Sequence, residues 1–149
     1  MTSLHIASLD DLELLLPMLD AALGAPADTG AAEARIAALV PLLDGAPHGV
    51  VYLIGPRRSP VGFIAVSFGW SLAAGGLVGR IDVFWIRPAV RGRGMGADVL
   101  LSLVPALSEH GLRRMRLELP PAMARAETVF RRAGFQRAAE HLHLERRLS

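Results

Sequence analysis

Apolar and polar positions along this chain repeat with two periods, and the period switches several times. Leu9, Leu12, Leu15, Leu16, Leu19 and Leu23 recur at the three- and four-residue steps of a helix face. Ser8 precedes them as a candidate N-cap, after a short strand in "SLHIA". "GAPADTGAAE" reads as a loop, and Glu33 to Leu43 predicts a second helix that ends at "DGAPHG". Strand signals follow in "VVYLIG", after the turn "PRRSP" in "VGFIAVSFGW", and in "GRIDVFWI". The last of these stops at Pro88, which cannot donate to a ladder. The helical period returns from Gly96 to about Leu107, through Val99, Leu100, Leu103, Val104 and Leu107, with Pro105 predicted to kink or end it. "GLRRMRLELP" alternates Met115, Leu117 and Leu119 with Arg116 and Glu118, the pattern of a strand. "AMARAETVFRRAG" predicts a helix closed by Gly134, and "FQRAAEHLHLERRL" one or two final strands.

The resulting order, β-α-α-β-β-β-α-β-α-β(β), is mixed α/β, with no internal repeat or linker. It predicts a single layered domain over residues 1–149. At 52% hydrophobic and 20% charged, a chain of 149 residues can bury a full core. Ser59 to Gly79 carries no charge over 21 residues, long enough to cross a bilayer. Its glycines at 62, 69, 75, 76 and 79 and its short β-branched and aromatic runs fit two buried strands joined by a turn better. The N-terminal "MTSLHIASLDDLELLL" has no basic segment before its apolar residues, so the expected location is the cytoplasm.

Cysteine is absent, which removes disulfides and thiolate chemistry. All 16 basic residues are arginine, which raises the isoelectric point, yet the net charge is only +2. No nucleic-acid partner is expected, because neither a concentrated basic face nor interleaved aromatics are present.

The most informative stretch is "RGRGMG", Arg91 to Gly96, between a strand and a helix. Closely spaced glycines at such a junction free backbone N–H groups to converge on one point, where the helix dipole favours an anion. Arg91 and Arg93, with Arg87 nearby, match that charge. A Walker A loop needs a lysine the chain lacks, and a dinucleotide fingerprint needs G-x-G-x-x-G after an early strand. What remains is an Arg-x-x-Gly-x-Gly turn, met by Arg91, Gly94 and Gly96.

That turn resembles the pyrophosphate loop of the GNAT acetyltransferases, and the resemblance covers almost the whole chain. "LHIASLDDLELLLPML" looks like the family's first strand and helix, and "IDVFWIRPAVRGRGMGADVLL" like its fourth strand, acetyl-CoA loop and third helix. "ARAETVFRRAGF" looks like its C-terminal signature, here Ala126, Val129, Phe130, Gly134 and Phe135. The resemblance implies a GNAT-like domain with a mixed, mostly antiparallel sheet of six or seven strands flanked by four helices. It also implies acetyl-CoA as cofactor. The amides of Gly92, Arg93, Gly94, Met95 and Gly96, with Arg91, would hold the pyrophosphate, and the strand edge at Phe84, Trp85 and Ile86 the pantetheine. An arginine among Arg113, Arg114, Arg116, Arg131 and Arg132 would meet the CoA 3′-phosphate.

Acetyl transfer needs a deprotonated amine, a polarised carbonyl and a proton for the leaving thiolate. Asp82 is the available acid on the fourth strand, and Glu118 on the fifth could bind or deprotonate the acceptor. "GWSLAAGG" before the fourth strand resembles family members with a long hairpin there, and these usually carry a second acid where this chain has Val83. Strand alternation predicts Asp82, Phe84 and Ile86 on one face and Val83 and Trp85 on the other. Met123 stands where the family often has a cofactor-contacting Asn, and Phe130 where it commonly has the Tyr that protonates the thiolate. Tyr52 is the one tyrosine that could substitute, and His141 and His143 share a strand face without a third metal ligand at obvious spacing. Two functions follow: an acetyl-CoA-dependent N-acetyltransferase acting by direct attack on a small-molecule or peptide amine, or a catalytically degenerate acyl-CoA-binding module. No membrane partner is expected, and a homodimer is compatible with either.

Overall fold

The computed structural model describes residues 2–138 and 141–149. Nine regular elements follow one another as β1 (Leu4–Ile6), α1 (Leu12–Leu23), α2 (Thr29–Leu43), β2 (Gly49–Ile54), β3 (Gly62–Ser71), β4 (Gly76–Ile86), α3 (Met95–Glu109), β5 (Arg114–Arg116) and α4 (Glu127–Arg132). The strands lie side by side in chain order; β1 to β4 are antiparallel, and β5 joins β4 in parallel.

β3 is apolar on both faces because both are covered. Phe63 and Ala65 pack with Leu15, Met18 and Leu19 of α1 and with Leu39 and Leu43 of α2. Ile64 and Val66 face the other way, onto Val99, Leu100, Leu103 and Leu107 of α3 and Phe130 of α4. Leu15, Leu53, Leu100 and Leu103 are at most 1% exposed, each stabilising the fold by roughly 1.5–3 kcal/mol.

Local chemistry explains the helix ends. A 3₁₀ turn, Leu9–Asp11, leads into α1, and the buried Asp11 carboxylate accepts the Ser8 N–H at 2.9 Å. α2 begins at Thr29, not Glu33, because the Asp28 carboxylate accepts the Ala31 N–H at 2.8 Å and caps the first turn. Pro105 does not end α3. Its ring, like Pro17 in α1 and Pro41 in α2, sits on the exposed side, where water can satisfy the carbonyl left without a donor.

The sheet among the described residues has five strands, not six or seven. The expected strand in "GLRRMRLELP" pairs over Arg114–Arg116 alone, and the expected helix in "AMARAETVFRRAG" is a 3₁₀ stretch, Pro121–Ala126, followed by the short α4. Gly134 takes φ 93° just past α4, as a closing glycine does. Within "FQRAAEHLHLERRL" no described residue is in a strand; Ala139 and Glu140 lie outside the described residues, and 141–149 are exposed throughout. Alternation supplies a strand's side-chain pattern, but the ladder needs a neighbour's backbone.

Candidate active site

β4 and β5 stay paired only from Val78 to Arg80 against Arg114 to Arg116. Beyond that the two strands separate, so Ile81–Ile86 of β4 has no strand neighbour on that side. A broad cleft borders the paired stretch, with Val78, Arg80, Glu118, Leu119 and Phe130 among its walls. The backbone of β4 alternates along this edge. A Cβ at Gly62 would overlap the Trp85 carbonyl oxygen, so the backbone of Trp85 faces β3, and that of Phe84 and Ile86 faces the unpaired edge of β4. The next peptide agrees: Arg87 N–H donates to Val61 O at 2.7 Å, which turns the Ile86 carbonyl outward. Arg91 Nε donates to that carbonyl at 2.6 Å. Trp85, expected on the cofactor edge, therefore offers it no backbone group, and its side chain packs with the α1/α2 core.

The loop after β4 has the predicted character. Gly92 and Gly94 take φ 78° and 77°, left-handed values, and a Cβ on either would meet open space. Gly94 caps α3, whose first backbone bond runs from Asp98 N–H to Gly94 O at 3.1 Å. The N–H groups ahead of it, Met95 to Ala97, have no backbone acceptor among the described residues. Free amides at the positive end of a fifteen-residue helix fit a pyrophosphate. Gly96 has another duty: its Cβ would stand 3.0 Å from Val129 Cγ1, so it permits α3 to pack against α4. Arg93 is exposed, and Met95 packs at the edge of the α3/α4 core.

On the opposite face of the sheet, Asp82 lies beside an apolar cavity of about 430 Å³. The β3–β4 register slips there: Ala65 faces Val83 while Val66 faces Ile81, leaving Asp82 as the extra residue of a bulge. Asp82 and Val83 consequently line the same cavity, whereas Phe84 and Ile86 pack on the other face. This corrects the expected grouping of Asp82 with Phe84 and Ile86; alternation holds only while the register does. Leu15, Leu19 and Phe63 form the cavity floor, and Ala31, Ala34 and Ala38 one side of it. Those alanines recur at helical steps, a stripe legible in the sequence once Asp28 is recognised as the cap. Arg35, also at the cavity, is committed elsewhere: its Nη1 lies 2.6 Å from Asp20 Oδ1 and 2.7 Å from Gly24 O. Asp82 has no ion pair among the described residues, so neither Arg80 nor Arg87 engages it.

The remaining candidates are scattered. Phe130 is buried, packed edge-on against Phe84 at 6.0 Å and Phe135 at 5.6 Å between ring centres. It holds α4 to β4 and has no proton to give. Met123 is half exposed on the 3₁₀ stretch. Tyr52 shares the α3/α4 face with Phe84, but Ile64 stands between them, so strand spacing puts them about 10 Å apart. Burial raises its phenol pKa. Glu118 is exposed on the diverging segment, with His143 Nδ1 at 3.6 Å. Sequence reasoning missed Glu127, where Arg137 and Arg131 converge. Its Oε2 is 2.8 Å from Arg137 Nε and 3.0 Å from Arg131 Nε, and the Arg137 hydrogen bonds lead in lowering its pKa from 4.5 to about 2.

Comparison with known proteins adds the family to this geometry. No curated protein matches the chain. An integron cassette protein from the mobile metagenome of Cole Harbour Salt Marsh is 28% identical, with TM-score 0.80 over 98% of this chain and 90% of its own. Two further structures share the fold. One is the aminoglycoside acetyltransferase AAC(6')-Iy in complex with a bisubstrate analog, at 15% identity and TM-score 0.78 over 99% of both chains. The other is a predicted acetyltransferase with acetyl-CoA from Clostridium acetobutylicum, at 20% identity and TM-score 0.76 over 97% of this chain and 96% of its own. The model of the acetyltransferase (GNAT) family matches residues 15–135, from within α1 to just past α4, and the chain belongs to that family.

Proposed function

We propose that this protein transfers an acetyl group from acetyl-CoA to the primary amine of a small molecule with an apolar body, by direct attack in a ternary complex. The observation that carries this reading is the bulge that puts Asp82, free of ion pairs among the described residues, at an apolar cavity beside the open end of β4. The loop amides and the outward edge at Phe84 and Ile86 are the groups that would hold the cofactor. Bound there, acetyl-CoA supplies a thioester carbonyl open to attack by nitrogen and a thiolate that can leave.

The protein's own part is positioning and proton movement. Leucines and alanines of α1 and α2 take up the acceptor's body and exclude water, which strengthens any charge interaction at the rim. Asp82 attracts an ammonium group and, directly or through one water, accepts the proton that must leave before nitrogen can attack. The outward N–H groups of Phe84 and Ile86 are donors available to a developing oxyanion. With Phe at 130, the proton for the thiolate comes from the acceptor or solvent. A polycationic acceptor would bring several ammonium groups to a cavity with a single uncommitted carboxylate, and is disfavoured.

Calorimetry with CoA followed by an acetyl-CoA turnover screen tests the proposal. Apolar primary amines should be acetylated with kcat/KM at least tenfold above polyamines and peptide N-termini. The competing reading, a binding module without turnover, is favoured by Phe130; CoA binding with no turnover on any amine would establish it instead. Absence of CoA binding would sink both.

A further inference from the structure

Three arginines stand together on one uncovered part of the sheet. On β5, Met115 packs with the α3/α4 core, so Arg114 and Arg116 face the opposite side. On β4, Ile81 packs in the same core, and a Cβ at Gly79 would press on Leu112 and Val66, so Arg80 between them also faces away from it. The parallel register sets Arg80 beside Arg116 and Val78 beside Arg114. This is the face of the sheet that carries Asp82, but the core beneath α1 and α2 reaches only Ala65 and Val83 and does not include Val78. Arg80, Arg114 and Arg116 are exposed, and none has an ion pair among the described residues. Like charges side by side on a sheet repel and are destabilising. The strand surface beside them is low: Ser67 faces Arg80 across β3, and a Cβ at Gly69 would meet only Val78 Cγ2, at 3.8 Å.

We propose that Arg80, Arg114 and Arg116 bind a phosphate group of the acceptor, so that the substrate is an apolar primary amine bearing a phosphate monoester. The proposal rests on the reading of Asp82 as the residue that receives the amine. Asp82 lies two positions beyond Arg80, about 7 Å along the strand, between the arginines and the apolar cavity. An ammonium group at Asp82 would be repelled by three guanidinium charges left unneutralised so near to it. An anion on the same molecule removes that repulsion and gains charge-assisted hydrogen bonds. A phosphate monoester carries a charge of roughly −1.5 to −2 and three acceptor oxygens, one for each arginine, which a single carboxylate does not match. The cluster is distinct from the cofactor cradle. Arg80 is six residues from Ile86, about 20 Å of strand, and the loop amides belong to α3, on the other face of the sheet. The acceptor is therefore laid out in order, with its body under α1 and α2, its amine at Asp82 and its phosphate on the arginines.

The probes are phenylalaninol, a primary amine with an apolar ring, and its phosphate ester. Calorimetry on the chain saturated with CoA keeps the phosphate off the loop amides and reads binding without acetyl transfer; if CoA does not bind, the same chains are compared without it. The ester should bind roughly tenfold more tightly than the alcohol, and high salt should erase most of the difference. Arg80→Gln with Arg116→Gln should bring the two probes to equal affinity. Arg57→Gln with Arg58→Gln, the same loss of charge on the exposed turn between β2 and β3, should leave the preference intact. Thermal unfolding should not fall in the Arg80 and Arg116 variant, because the change relieves repulsion. With acetyl-CoA, kcat/KM should favour the ester by the same factor. The proposal is overturned by equal affinity for both probes in the native chain, by a preference that survives the loss of Arg80 and Arg116, or by one that falls equally in the Arg57 and Arg58 variant. Acetylation of both probes with equal kcat/KM and equal binding overturns the phosphate subsite and keeps acetyl transfer. A preference that depends on Arg80 and Arg116, in a chain that acetylates no amine, keeps the subsite and overturns acetyl transfer.

Discussion

Asp82 and Val83 are consecutive on β4, yet both line the cavity beneath α1 and α2, because β3 and β4 slip by one residue between Ala65 and Val66. A regular strand would have sent them to opposite faces. The slip puts a carboxylate on the cavity side of the sheet without an acid at position 83. Bulges of this kind commonly re-aim one side chain beside a reaction site.

Asp82→Asn should therefore lower kcat by roughly 10²–10⁴-fold, the usual contribution of a general base, while the Kd for CoA stays unchanged. The side chain is exposed, so thermal unfolding should move little. Steady-state kinetics beside calorimetry checks it, and equal loss of CoA affinity would show that Asp82 holds the loop rather than the acceptor.

Phe130→Tyr tests the missing proton donor. The ring packs on Phe84 at the unpaired part of β4, so a hydroxyl directed to that edge could protonate a departing thiolate. Turnover should rise, by about tenfold if the hydroxyl reaches the sulfur. A hydroxyl buried without a partner would instead cost about 1–3 kcal/mol, visible in urea unfolding with no gain in rate.

Gly94 and Gly96 should fail differently on mutation to alanine. At Gly94 a Cβ meets open space but φ is 77°, so Gly94→Ala should cost about 1–2 kcal/mol of loop geometry and weaken CoA binding roughly 5- to 30-fold. At Gly96 the added methyl presses on Val129, so Gly96→Ala should chiefly lower stability, by about 1–3 kcal/mol. Comparable changes in both quantities for both variants would mean that the two glycines do one job.

The Glu127 cluster gives a pH signature. Its carboxyl is lowered from 4.5 to about 2, first by the Arg137 hydrogen bonds. A depressed acid stabilises the fold fully above the unfolded value and loses that contribution as pH falls through the folded one. The stability difference between the native chain and Glu127→Gln should be constant above pH 4.5, shrink from there toward pH 2 and vanish below it. Urea titrations across that range measure it, and a difference that ignores pH would remove the ion pairs from the account.

The order of the elements and the character of the "RGRGMG" loop were legible because both depend on local chemistry: periodicity, proline and glycine. What escaped was set by neighbours. Ile81 to Ile86 reads as a regular strand whether or not β3 slips beside it, so the facing of Asp82 was invisible. Asp28 and Thr29 sit in a run rich in alanine and glycine, which hid the cap, and with it the alanine stripe that leaves room for the cavity. Leu142 and Leu144 alternate as a strand should, but a strand also needs a second backbone. Arg91 looked like charge for an anion, and its hold on Ile86 could not be foreseen from spacing.

That hold gives the open edge of β4 a definite terminus. With the Ile86 carbonyl already engaged by Arg91, the last outward carbonyl along this edge without a protein donor among the described residues is that of Phe84. Past it, the edge gives way to Arg91 and the glycine loop. The distance between the sheet-pairing part of a ligand and its anionic part is in this way measured out by the protein itself, with one arginine as the end mark.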